Sequence, residues 1–153
     1  MNRLSALFAI ILLVVVQGFA KDFETDTLQT SEGPLMMTFV GHGTLYFQFD
    51  GKVVHVDPWS RLADYESLPK ADLILVTHQH RDHLDAAAIQ ACKKEDAAIV
   101  LTKKCAEQMD GIVLNNGEQK TIKGMAVKAV PAYNIKHMRS ENKPFHPKGE
   151  GNG

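Results

Sequence analysis

Three imidazoles and a carboxylate fall within six residues, His78-Gln79-His80-Arg81-Asp82-His83, directly after the apolar run Leu73-Ile74-Leu75-Val76. Imidazole nitrogen and carboxylate oxygen are the donors that Zn²⁺ and its first-row neighbours accept. In an extended loop His78 and His80 point to one side and can grip one ion. Asp82 and His83 then fall where the chain turns, so they face a neighbouring position. Two diverging ligand pairs on one loop describe two adjacent metals. Such a pair acidifies a water held between the ions and stabilises charge developing on a carbonyl or phosphoryl oxygen. A histidine-rich surface loop is the competing reading; a strand before the motif and a helix after it favour the metal.

The elements that must position this loop are legible around it. Phe23 to Thr30 alternates weakly and breaks at Ser31-Glu32-Gly33-Pro34. Leu35 to Val40, Leu45 to Phe49 and Val53 to Val56 read as strands, with Asp50-Gly51 a hairpin signal between the last two. Leu73 to Val76 is predicted to be a buried strand. A helix is expected from about Ala86 to Lys94, with Asp85 as its N-cap. Ala97 to Leu101 reads as another buried strand, and Thr102 is expected to cap a short helix stopped at Asp110-Gly111. Asn115-Asn116-Gly117 marks a turn, and Gln119 to Ile122 with Met125 to Val130 form a second hairpin about Lys123-Gly124. Strands first, then strands alternating with helices, describe an α/β (α+β) sheet with helices on one face.

Thr77-His78-Gln79-His80-Arg81-Asp82-His83-Leu84-Asp85 resembles the T-H-x-H-x-D-H-x-D signature of the metallo-β-lactamase superfamily. The resemblance implies an αββα sandwich built from two βα halves, of which residues 21–153 would be the N-terminal part. It implies that His78 and His80 bind the first metal and that Asp82 and His83 bind the second. Asp82 is then both ligand and candidate catalytic carboxylate. A histidine from the region of Pro144 to Gly153 would complete the first site, as in the lactonase-like branch; His146 is the candidate, with Asn134 a polar residue lining the cleft. A surface histidine between prolines is the alternative for His146.

His42, in Gly41-His42-Gly43, matches a Gly-His pair of the lactonase-like and phospholipase-D-like branches; it either lines the metals or is a turn histidine. Asp57, at a strand end, would support the metal loop from behind and orient a ligand, or else serve as a turn residue before Pro58. His55 reads as a packed strand residue. The family also uses a bridging Asp in a Gly-Asp-Thr context and a last histidine downstream. No Gly-Asp-Thr occurs in the sequence, and the chain reads as a fragment or truncated product.

Residues 1–20 are a separate matter. Arg3, the apolar run Leu7 to Val16 and Gly18-Phe19-Ala20 read as a secretory signal peptide cleaved after Ala20, which implies a secreted or periplasmic protein; an uncleaved membrane anchor is the alternative. The mature part carries 16 Lys+Arg against 18 Asp+Glu, a net charge of −2. No basic field is present to attract nucleic acid, and no stable membrane association is expected after cleavage. Cys92 and Cys105 fall in what read as successive helices and are expected to be buried free thiols.

These readings converge on an exported metal-dependent hydrolase of small molecules, attacking an ester, lactone, amide or phosphodiester. Zinc is the default metal at two sites, with manganese or iron as alternatives. A non-catalytic metal-binding remnant or interaction module, and an iron redox protein, are the competing classes. The sequence does not define the oligomeric state.

Overall fold

A computed structural model describes residues 22–153, so the expected signal peptide lies outside the described residues. Seven strands form one sheet in sequential order: β1 (Glu24–Thr30), β2 (Gly33–Gly41), β3 (Thr44–Phe49), β4 (Lys52–Val56), β5 (Ala71–Val76), β6 (Lys93–Leu101) and β7 (Ile112–Val113). The first four are antiparallel, and β4 to β7 are parallel. Chain chemistry explains the change. Asp50-Gly51 and Lys123-Gly124 all have positive φ, as a two-residue hairpin turn of type I′ requires. They close β3 on β4, and β8 (Gln119–Ile122) on β9 (Met125–Lys128). Parallel neighbours need a crossover instead. The 57–70 loop supplies one between β4 and β5, and the helix α1 (Ala86–Cys92) another between β5 and β6.

Helix α1 packs on one face of the sheet through Ala88, Ile89 and Cys92, against Ala71, Ile74, Val76 and Leu101. Burying a side chain such as Ile74 or Ile89 is worth about 1.5–3 kcal/mol. That outweighs the low intrinsic stability of a seven-residue helix. The β8–β9 hairpin covers part of the opposite face, where Ile122 and Ala129 meet Leu73, Val100 and Leu114. Two short pairings finish the chain: β10 (Pro131–Ala132) with β13 (Gly151–Asn152), and β11 (Met138–Ser140) with β12 (Lys143–Pro144) as a small hairpin between them.

The structure revises some of the expected boundaries. The first helix stops at Cys92 and β6 begins at Lys93, not Ala97, because Lys93 already pairs with Ala71. The expected helix after Thr102 is one 3-10 turn, Cys105–Glu107. The Thr102 hydroxyl accepts the Cys105 amide there, but the residue at the cap position is Lys104, without a side-chain capping bond. Cys92 ends α1 and Cys105 opens the 3-10 turn; both are free and buried. Burial pushes the Cys92 thiol up to about 11. No helix of the described residues is long and apolar enough to cross a membrane.

Candidate metal centre

The loop between β5 and α1 carries the motif, and its neighbours bring in the remaining donors. Three groups have ligand atoms within 4.8 Å of one another: His78, His80 and His146; His42, Asp82 and His83; and Asp57, His78 and His83. The first two are the candidate metal clusters. They adjoin, since the His78 and His83 rings lie 3.9 Å apart between centroids. The third group shows how Asp57 stands behind both.

Asp57 leaves the end of β4 in the left-handed region, at φ 45, and is buried. An L-residue seldom adopts that conformation, so the surroundings must hold it there. Its amide donates to the Leu75 carbonyl, and its own carbonyl accepts the Thr44 hydroxyl. Its carboxylate is thereby aimed at the loop. One oxygen accepts the Thr77 amide at 2.8 Å; the other accepts the Thr77 hydroxyl at 2.6 Å and lies 2.7 Å from His83 Nδ1.

A carboxylate only accepts, so His83 carries its proton on Nδ1 and its Nε2 lone pair is free for a metal. The Thr77 hydroxyl has given its hydrogen to Asp57, so it accepts from His78 Nδ1 at 2.9 Å. The His78 Nε2 lone pair is free in turn. His146 follows the same logic: its Nδ1 and its amide both donate to Asn134 Oδ1, at 2.9 and 2.8 Å. Three imidazoles are thus held in the tautomer that leaves Nε2 available.

Electrostatics agree with this donor set. Burial, reinforced by the neighbouring His83, His80 and His146, lowers His78 to about 4, so it is neutral at pH 7. His146 is lowered by its burial and by His80 and His83. His78 Nε2 lies 3.1 Å from His80 Nδ1, two nitrogens converging on one point. In the second cluster His42 Nε2 lies 2.9 Å from Asp82 Oδ2, and His83 Nε2 lies 3.9 Å from the same oxygen. Burial alone would raise the Asp82 carboxyl. Its own amide, His42 and the charges of His83 and His42 together hold it below the usual range. A set of imidazole nitrogens around an ionised carboxylate suits a divalent first-row metal.

The structure groups the candidate ligands in the pairs expected for the two metals and adds His42 to the second. His78 and His80 converge with His146, and Asp82 and His83 converge with His42. His42 sits at φ 53 in the β2–β3 turn, and its side chain bonds to Asp82 instead of to backbone. His146 reaches the cluster because β10 pairs with β13 and the Asn152 amide donates to the Thr77 carbonyl, folding the 131–152 segment back onto the loop. Asn134 holds His146 and shares with it a cleft of about 350 Å³ beside His78. His55 is buried within the sheet, stacked on Tyr46.

Two further neighbours complete the site, of which Trp59 escaped the reading of the sequence. A Cβ on Gly43 would lie 3.0 Å from His83 Cε1, so this glycine makes room for a ligand ring. Trp59 tilts against His42 with ring centroids 5.5 Å apart. Its position directly after Asp57-Pro58 was the available signal.

Fold and donor set define a β-lactamase-type metal domain, and comparison with known proteins agrees. The family described as "Beta-lactamase superfamily domain" matches residues 36–151, and the chain belongs to this metallo-β-lactamase superfamily. A UPF0173 metal-dependent hydrolase of Methanopyrus kandleri is 30% identical over 109 residues, covering 65% of this chain and 47% of that protein. A second, from Thermodesulfovibrio yellowstonii, is 39% identical over 80 residues, 47% of this chain and 30% of that one. The crystal structure of a protein assigned as a metal-dependent hydrolase from Parabacteroides distasonis superposes with a TM-score of 0.79 at 41% identity, covering 86% of this chain and 60% of that one. A metallo hydrolase of Ignicoccus hospitalis shares the fold, with a TM-score of 0.53 at 23% identity over 74% of this chain and 53% of that one. The chain covers between 25% and 54% of the length of its curated relatives.

Proposed function

We propose that this chain carries the metal-binding half-site of an exported, metal-dependent hydrolase that cleaves an ester, lactone, amide or phosphodiester. The observation that supports it most is the pair of adjoining clusters, His78/His80/His146 and His42/Asp82/His83, backed by one buried carboxylate. Zinc is the metal this donor set favours, with manganese and iron as alternatives. Divalent metal bound there would supply acidified water and stabilisation of negative charge on the substrate. The chain's own residues supply the geometry. Thr77 and Asp57 fix the tautomers of His78 and His83, and Asn134 fixes that of His146. Asp82, ionised at neutral pH, accepts hydrogen bonds and so orients a water against the scissile bond. Export rests on the segment ending at Ala20.

Elemental mass spectrometry of the purified protein, with a parallel screen of nitrophenyl esters and phosphodiesters, tests the proposal. About two ions per chain, lost in a His78→Ala, His80→Ala double variant, and turnover that a chelator abolishes are the expected results. Full metal content in the double variant would remove these residues from the site. Metal without turnover would favour the binding-module reading.

A further inference from the structure

We infer that the cleft floored by Trp59 is a subsite for an anionic group of the substrate, a phosphate or carboxylate, with Arg61 and Arg81 as its cationic partners. The inference rests on the hydrolase reading above, because it places the scissile bond at the clusters and the charged group beside them.

The cleft, of about 610 Å³, is lined by Trp59, Ser60, Arg61, Arg81, Asp82 and Asp85, among others. It adjoins the second cluster through direct contacts. Asp82 Oδ2 meets His42 Nε2 at 2.9 Å, the His42 ring tilts against Trp59, and the Arg61 guanidinium lies 5.9 Å from the Trp59 ring. A molecule reaching from Asp82 along the indole therefore arrives at Arg61.

The charges are arranged unequally. Both carboxylates on the cleft are engaged: Asp82 with His42, and Asp85 with the amides of Ala87, Ala88 and Ser60 and the Ser60 hydroxyl. Among the described residues, neither Arg61 nor Arg81 forms an ion pair with a carboxylate. Two exposed guanidiniums without counter-charges thus face a space beside the metal ligands. The chain as a whole carries 17 Lys+Arg against 18 Asp+Glu, so these cations are not part of a general basic surface. A guanidinium fork presents paired N–H donors to carboxylate and phosphate oxygens, and two forks suit a dianion. The indole face offers an apolar wall for the carbon skeleton between anion and scissile bond. A neutral ester or lactone would leave both guanidiniums unused.

Trp59 is the sole tryptophan of the sequence, so intrinsic fluorescence reports on this cleft. The full chain, stripped of metal with a chelator and then dialysed, is titrated with phenyl phosphate, phenylacetate and benzyl alcohol at low and high salt. Metal-free protein excludes anion binding at the ions themselves. The expected result is saturable quenching by one or both anions, weakened by salt, and little response to benzyl alcohol. Comparing phenyl phosphate with phenylacetate identifies which oxyanion is preferred. Arg61→Gln and Arg81→Gln should each weaken binding about tenfold, the equivalent of one charge-assisted hydrogen bond. Circular dichroism and metal content of the reloaded variants should match the parent. Equal response to benzyl alcohol, unchanged affinity in both variants, or neither anion bound by equilibrium dialysis would overturn the inference. Anion binding by a protein that takes up no metal would sustain this subsite while defeating the hydrolase reading. Chelator-sensitive cleavage of neutral esters without anion binding would do the reverse.

Discussion

The two oxygens of Asp57 have separate tasks. One holds the Thr77 amide and so fixes the backbone entering the metal loop; the other takes the Thr77 hydroxyl and lies against His83 Nδ1. Replacing Asp57 by Asn keeps the size and tolerates the left-handed φ of 45. It converts one acceptor into an NH₂ that faces donors. The expected outcome for Asp57→Asn is a folded protein whose metal affinity falls about 10–100-fold, the range for losing an outer hydrogen-bond partner of a ligand. Competition with a chromophoric chelator measures it. Unchanged affinity would mean that the His83 tautomer does not depend on this carboxylate. The motif residues were legible from type and spacing because ligand chemistry tolerates few substitutes. The role of Asp57 could be read only through the resemblance, whereas the glycines on both sides of His42, Gly43 among them, already allowed a close approach there. Trp59 was not read as a site residue, since its place after Asp57-Pro58 says little until the β2–β3 hairpin and the 57–70 loop are brought together.

At the scale of elements, the helix and the strands position the loop from both ends. Asp85 caps α1 through the amides of Ala87 and Ala88 and ties it to the 57–70 loop through Ser60. Loss of an N-cap costs about 0.5–2 kcal/mol. Asp85→Ala should lower the unfolding free energy by about that much in chemical denaturation, with a smaller effect on metal affinity than Asp57→Asn. Strand β4 supplies a pH-dependent contribution. His55 is fully buried and stacked on Tyr46; its Nε2 lies 2.9 Å from the Pro69 carbonyl, and Nδ1 has no hydrogen-bond partner among the described residues. Burial lowers its pKa below the ordinary 6.5, partly opposed by the Pro69 contact. The unfolded chain therefore takes up a proton near pH 6.5 that the folded chain refuses. Stability is full above that pH and declines as the pH falls below it, until the folded pKa is reached. For one group the slope is at most about 1.4 kcal/mol per pH unit. His55→Phe in metal-free protein should flatten this part of the urea-midpoint profile between pH 7 and 5. An unchanged slope would assign the acid sensitivity to other groups, of which His78 is the nearest candidate.

Across the whole molecule, one face of the sheet is more apolar than its coverage requires. Strand register aligns two rows on that face: Met37, Phe47, Val54, Leu73 and Ala98, and beside them Phe39, Leu45, Val56, Leu75 and Val100. The strands that carry these rows were legible in the sequence as apolar runs. Their cover was not, because no local pattern states which part of the chain will lie across a sheet. The β8–β9 hairpin takes the β5–β7 end, contrary to the bare face that a single βα half suggests. It leaves an apolar groove of about 310 Å³ along β3 to β6. Toward β1 the face is open, with Leu28 54% and Phe39 42% exposed, and Leu28 pairs with Leu35 on the same side. Strand β1 is also an edge among the described strands, exposed along its length, with Glu24 and Asp26 but no Lys or Pro to guard it. An apolar face running to an open edge promotes association. The purified chain should therefore self-associate with rising concentration in sedimentation velocity. A Leu28→Thr, Phe39→Thr double variant keeps the strand propensity that a β-branched residue provides. Both side chains are still about half buried, so the exchange should lower stability by about 1–3 kcal/mol, which chemical denaturation measures. The variant should stay monomeric at concentrations where the parent associates. Equal association of the two would locate the contact away from the open end of the sheet, and the groove beside the hairpin would be the next surface to alter.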